Sequence, residues 1–109
     1  MLKVELYIHG IMLGHLVEID KGYVFKANKS NIIKARAEYP IEMKRFSLNE
    51  SDSGLYKEMP PIFDEFLEYT NRKDIVELAG IDKYDSDFER IYKLSNLELY
   101  GQIFDIKQG

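Results

Sequence analysis

The chain has no cysteine and no tryptophan, and only three of its 109 residues are proline. Without cysteine there is no disulfide, no thiol nucleophile and no thiolate zinc site, a pattern that suits a reducing compartment. No apolar run approaches the ~20 residues of a membrane span. Residues 1–5 lack the apolar stretch of a signal peptide. A cytoplasmic protein away from membranes is the expectation.

Basic charge is also in short supply. Fifteen Lys and Arg stand against 19 Asp and Glu, for a net charge of −4. A domain that grips nucleic acid through its phosphates ordinarily carries a basic stripe. Here the densest basic run, residues 34–45, sets four basic residues against two Glu. Direct nucleic-acid binding is not expected. Phosphate-binding glycine loops, dinucleotide fingerprints, nucleophile elbows and kinase catalytic motifs are all missing. No cofactor and no enzymatic activity is expected.

What the chain does hold is apolar material for one domain, residues 1–109, with 45% hydrophobic residues. A chain this short buries only about two-thirds of its unfolded surface. Eight Tyr and six Phe are more bulk than so small a core takes in, and the surplus points to a partner surface.

Leu2, Val4, Leu6 and Ile8 alternate with Lys3, Glu5, Tyr7 and His9, the period of a half-buried strand. An apolar-rich segment at residues 11–19 follows Gly10. A turn at Asp20, Lys21 and Gly22 leads to renewed alternation at Tyr23, Phe25 and Ala27. The first 28 residues predict a three-stranded antiparallel meander. Residues 31–38 predict a short helix capped by Asn31, and residues 41–43, after Pro40, fit a short strand. Residues 47–58 are polar, Ser-rich and aperiodic, an exposed loop of a length usually tied to function.

The period then changes. Pro60 and Pro61 open a helix carrying Ile62, Phe63, Phe66 and Leu67. Ile75, Val76, Leu78 and Ala79 mark a second, closed by Gly80. Ser86 with Glu89 is a capping box for a third, with Phe88, Ile91 and Tyr92 inward. Residues 97–106 predict a returning strand. The fold class is α+β: a small antiparallel sheet, made of the N-terminal meander and a returning C-terminal strand, packed with about three short helices.

Chemically suggestive residues have plainer readings. His9 and His15 match no metal-ligand spacing, so no metal is expected. Asp64, Glu65 and Glu68 fall on the polar side of their helix and read as a solvated face. Gly10 and Gly14 read as a turn and a bulge rather than a membrane-helix motif. The segment from Gly54 to Phe63 stands apart, because it sets aromatic and Met side chains beside a polar loop and stiffens them with two prolines. Leu55, Tyr56, Met59, Pro60, Pro61 and Phe63 are the candidate partner-binding residues, with Tyr56 expected outside.

The order of these features resembles the small N-terminal subdomain of HipA-type serine/threonine kinases of bacterial toxin–antitoxin systems. Residues 4–16 are similar to that family's opening strand, glycine turn and Gly-x-Leu second strand, here Gly14, His15 and Leu16. Gly22, Tyr23 and Phe25 resemble its third strand, and residues 39–43 stand where it has a Pro-(x)-Ser-Leu segment. Residues 59–67 resemble its Arg-Pro-Phe-Phe-x-Asn-Leu-Leu helix start. Asp87 with Phe88, and residues 100–103, resemble later pieces. Where the family has Leu-Pro-Glu-Gly, this chain has Leu67, Glu68, Tyr69 and Thr70.

A free-standing version of the subdomain resembles HipS, the small component of HipBST systems. The resemblance implies an antitoxin that docks on and neutralises a shortened HipT-like kinase, in a complex with a HipB-like DNA-binding protein. The other reading is a non-inhibitory scaffold or dimerisation module derived from the same subdomain. A small enzyme using Asp64, Glu65 or His9 would have to be active without any partner, and no constellation of residues supports it.

Overall fold

The computed structural model describes residues 2–44, 54–98 and 102–109. Alternation drives the first three strands. In β1 (Lys3–Ile8), Val4, Leu6 and Ile8 are fully buried. His9 and Gly10 both take positive φ, 44° and 81°, in a two-residue turn that pairs Ile8 with Ile11. Positive φ at both centres matches the right-handed twist of the strands it joins. β2 (Ile11–Ile19) returns antiparallel, and Asp20 and Lys21 lead into β3 (Gly22–Ala27), with Ile19 opposite Gly22. Gly22 is thus the first residue of β3 rather than a turn centre. A Cβ there would meet the Tyr56 carbonyl oxygen at 2.1 Å. The meander expected over residues 1–28 is present.

β2 carries a bulge. Leu6 pairs with Gly14 but Tyr7 pairs with Met12, so Leu13 is an extra residue, and its side chain is fully buried. A bulge bends its strand and redirects a side chain. Here it also positions the first helix, because the Leu13 carbonyl accepts from the Asn28 backbone N–H at 2.8 Å. The helix α1 (Lys29–Glu38) is capped by Asn28, whose side chain accepts from the Asn31 N–H. The cap expected at Asn31 therefore falls three residues earlier. Asn31 instead donates through Nδ2 to the Met12 carbonyl at 2.9 Å, tying the helix to the bulge.

Residues 41–43 are not a strand. Pro40–Met43 forms a short helix, α2, with Pro at its first position, where its missing N–H costs nothing, and with Met43 buried. The expected loop over residues 47–58 is also revised. Gly54–Tyr56 forms an edge strand, β4, paired antiparallel with β3, while residues 47–53 lie outside the described residues.

A 3₁₀ turn at Pro61–Phe63 runs into α3 (Asp64–Tyr69), followed by α4 (Lys73–Ala79) and α5 (Asp87–Leu94). Gly80, left-handed at φ 72°, closes α4. The Ser86–Glu89 capping box is complete: Glu89 N–H donates to Ser86 Oγ and Ser86 N–H to Glu89 Oε1. Leu78, one of the apolar residues that mark α4, points outward and is 71% exposed. The returning strand β5 (Phe104–Gln108) begins later than expected, and residues 99–101 of the predicted segment lie outside the described residues.

The sheet order is β4-β3-β2-β1-β5, all antiparallel. The α+β class is as expected, with five helices rather than three among the described residues. One core holds the inner residues of the sheet, among them Leu6, Leu16, Phe25 and Ile106, together with Ile32, Met43, Phe63, Phe66, Phe88 and Ile91 from the helical layer.

At the centre of that packing the backbone of Gly14 lies against Phe25. A Cβ on Gly14 would sit 2.4 Å from the Lys26 carbonyl oxygen and 2.6 Å from Phe25 Cζ. Gly14→Ala is expected to cost about 1–3 kcal/mol, the range of an overpacked core. Urea denaturation should show a lower midpoint with an unchanged slope; an unmoved midpoint would contradict this close approach.

Candidate interaction surface

The segment from Gly54 to Phe63 divides sharply between outside and inside. Leu55, opposite Val24 on the edge strand, is 68% exposed. Pro61 is exposed as well. Tyr56 and Met59 are half-buried and pack against the core, and Pro60 is buried. Phe63 is fully buried, edge-on to Phe25 at 6.0 Å between centroids and 6.4 Å from Phe66. The expectation that Tyr56 stands outside is corrected. In a strand, side chains alternate between faces, and the pairing of Tyr56 with Tyr23 turns it to the helical side and Leu55 to the other. Of the six candidates, Leu55 and Pro61 are exposed, and the other four are half-buried or buried and shape the segment.

Leu55 does not stand alone. Lys3 pairs with Val17, Val17 with Val24 and Val24 with Leu55, so the four form one row across neighbouring strands on the sheet face away from the core. Val17, Val24 and Leu55 belong neither to the buried core nor to the residues packed against it. Ile19, two residues beyond Val17, shares their face. This row escaped the sequence reading, yet it left a signal. Val17 and Val24 are apolar at positions where strict alternation would put polar residues.

The neighbouring row holds Lys107, Glu5, His15 and Lys26. Glu5 accepts from the Tyr7 hydroxyl at 3.0 Å, and Lys107 lies 5.1 Å from the centroid of the Tyr7 ring. Burial holds the Tyr7 hydroxyl above its usual range, with Glu5 adding to the effect. Burial likewise holds His15 below the ordinary imidazole range, assisted by the charges of Lys3 and Lys26 and opposed by Glu5.

His9 lies at the β1–β2 turn, its ring 4.4 Å from that of Tyr39, so the two histidines serve different surroundings. Among the described residues no group of three or more His, Asp or Glu side chains could hold a metal ion. Asp64, Glu65 and Glu68 are exposed along α3. Glu65 and Glu68 border an open groove of about 390 Å³ with Tyr69, Arg72, Gln102, Ile103 and Phe104. In it Gln102 donates to the Tyr69 hydroxyl, and Arg72 lies over the Tyr69 ring while ion-paired to Asp74 at 2.8 Å. No helix among the described residues is long and apolar enough to cross a membrane. Comparisons with protein-family models, with curated proteins and with solved structures found no match.

Two predictions follow from this geometry. Phe63→Ala should lower unfolding free energy by about 3–5 kcal/mol, whereas Leu55→Ala should stay within about 0.5 kcal/mol of the parent; equal losses in denaturant titrations would contradict the division of the segment. The second concerns pH. The folded chain takes up a proton at His15 less readily than the unfolded chain does. That contribution to stability is complete above the unfolded value of about 6.5 and is lost as pH falls below it toward the lower folded value. His15→Gln should therefore flatten the dependence of stability on pH between about pH 7 and pH 5, and an unaltered slope would contradict the depressed proton affinity.

Proposed function

We propose that this chain is a HipS-like antitoxin that binds a HipT-like serine/threonine kinase and holds it inactive, in an assembly that includes a HipB-like DNA-binding protein. The observation that carries a binding role is the apolar row of exposed Leu55 and half-buried Val17 and Val24, which among the described residues lies outside the core. Apolar side chains that neighbour one another on a sheet face are a natural seat for a partner, where single scattered ones are not. The identity of the partner comes from the resemblance to the HipA N-terminal subdomain. The resembling segments fall in regular elements: residues 4–16 on the first hairpin, 22–25 on β3, and 59–67 mostly on the 3₁₀ turn and α3. In this reading the domain takes the place of a subdomain that the shortened kinase lacks. Leu55 and Pro61 touch the kinase, and Tyr56, Met59, Pro60 and Phe63 hold the segment's shape.

Co-expression with a HipT-like kinase tests the proposal, with growth rescue and co-purification read together. Rescue with a stable complex is the expected outcome. A complex without rescue would favour the non-inhibitory scaffold, and the absence of both would contradict the antitoxin reading.

A further inference from the structure

Among the described residues, every helix contributes its buried side chains to one core, on one side of the sheet. We propose that the other side receives an amphipathic helix of the kinase partner, apolar where it meets Val17, Val24 and Leu55 and acidic along its flanks. This inference rests on the antitoxin reading for the source of the helix, but not for its chemistry.

The dimensions fit a helix. Val17, Val24 and Leu55 lie on three neighbouring strands, and at about 4.8 Å per strand their row spans about 10 Å, close to the diameter of one helix with its side chains. Ile19 extends the apolar area along β2.

The charges select the occupant. The chain as a whole carries −4, yet this face sets Lys3, Lys26 and Lys107 against Glu5 and Asp105. Lys3 ends the apolar row, and Lys26 lies two residues from Val24 on the same strand face. Glu5 already accepts from Tyr7. Burial is the main cause of the depressed proton affinity of His15, with Lys3 and Lys26 adding to it and Glu5 opposing them. Carboxylates beside the apolar stripe of a docking helix complement this surface, and ammonium groups oppose it. Single-stranded nucleic acid fits less well, because it needs aromatic rings on which bases stack. The row is aliphatic, and the Tyr7 ring is occupied by Lys107.

Two measurements separate this inference from the kinase reading. In the first, the isotope-labelled protein is titrated with a synthetic amphipathic helical peptide of Leu and Glu, with its Leu and Lys counterpart, and with a single-stranded oligonucleotide. The acidic peptide should move the amide resonances of Val17, Val24, Lys26 and Leu55, and the basic one should not. No movement, movement confined to the helical layer, or a stronger response to the oligonucleotide would overturn the proposal.

In the second, a kinase of the HipT type is offered to Val24→Asp and to Leu78→Asp, the latter altering a side chain exposed on the helical layer. Lys26→Glu, at an exposed position, replaces Val24→Asp should that variant not fold. The sheet-face variant should bind about thirtyfold or more weakly, the scale of an interface anchor, and Leu78→Asp should bind as the parent does. Unchanged binding by the sheet-face variant overturns the docking face and leaves the antitoxin reading intact. A kinase that ignores the parent protein, while the acidic peptide still finds the sheet, sinks the antitoxin reading and leaves the face.

Discussion

The ring of Phe25 holds the domain together. It is fully buried and lies over the backbone of Gly14, in space that a side chain at that position would need. Its strand neighbour on the other side is Gly54 of the edge strand, and it meets Phe63 edge-on at 6.0 Å. One side chain therefore joins the bulged second strand, the third strand, the short fourth strand and the 3₁₀ turn that starts α3. The bulge in turn sets the position of α1 through Asn28 and Asn31. Aromatic pairs of this kind add about 0.5–1.5 kcal/mol beyond their buried area. Their larger effect here is to fix how the sheet and the helical layer sit on each other.

Much of the architecture was legible in the chain because local chemistry and tertiary packing agree. The alternation of Val4, Leu6 and Ile8, the Ser86–Glu89 box and Gly80 after α4 each carry their own structural reason, and each stands where it was expected. The misreadings come where pairing partners decide. Residues 41–43 alternate as a strand would, but Pro40 and an outward Ile41 make a helical turn equally good. Gly54–Tyr56 has too little local pattern to announce a strand and becomes one by pairing with β3. The same pairing decides which candidate faces out, so Leu55 is exposed and Tyr56, expected outside, turns toward the core.

The proposed binding surface was only partly legible for a related reason. A search for anchors along the chain finds the segment near the double proline, because its residues are consecutive. The row of Val17, Val24 and Leu55 is contiguous only across strands, with register set by the β2–β3 and β3–β4 pairings. Leu55 belongs to both descriptions and links them. The segment that ends at Phe63 anchors the edge strand to the core, and the edge strand completes the apolar row. The proposed binding role and the stable fold thus draw on the same ten residues, 54–63, with outward side chains assigned to one and inward side chains to the other.

Hydroxyl-radical footprinting of the chain, free and in complex with a HipT-like kinase, tests the central claim most directly. Binding through the uncovered sheet face predicts that oxidation of Val17, Val24 and Leu55 falls in the complex, while Leu78 and Tyr84, exposed on the helical layer at 71% and 84%, react as before. Protection of Leu78 and Tyr84 with undiminished oxidation of the sheet row would contradict the account, since it would move the partner to the opposite side of the molecule.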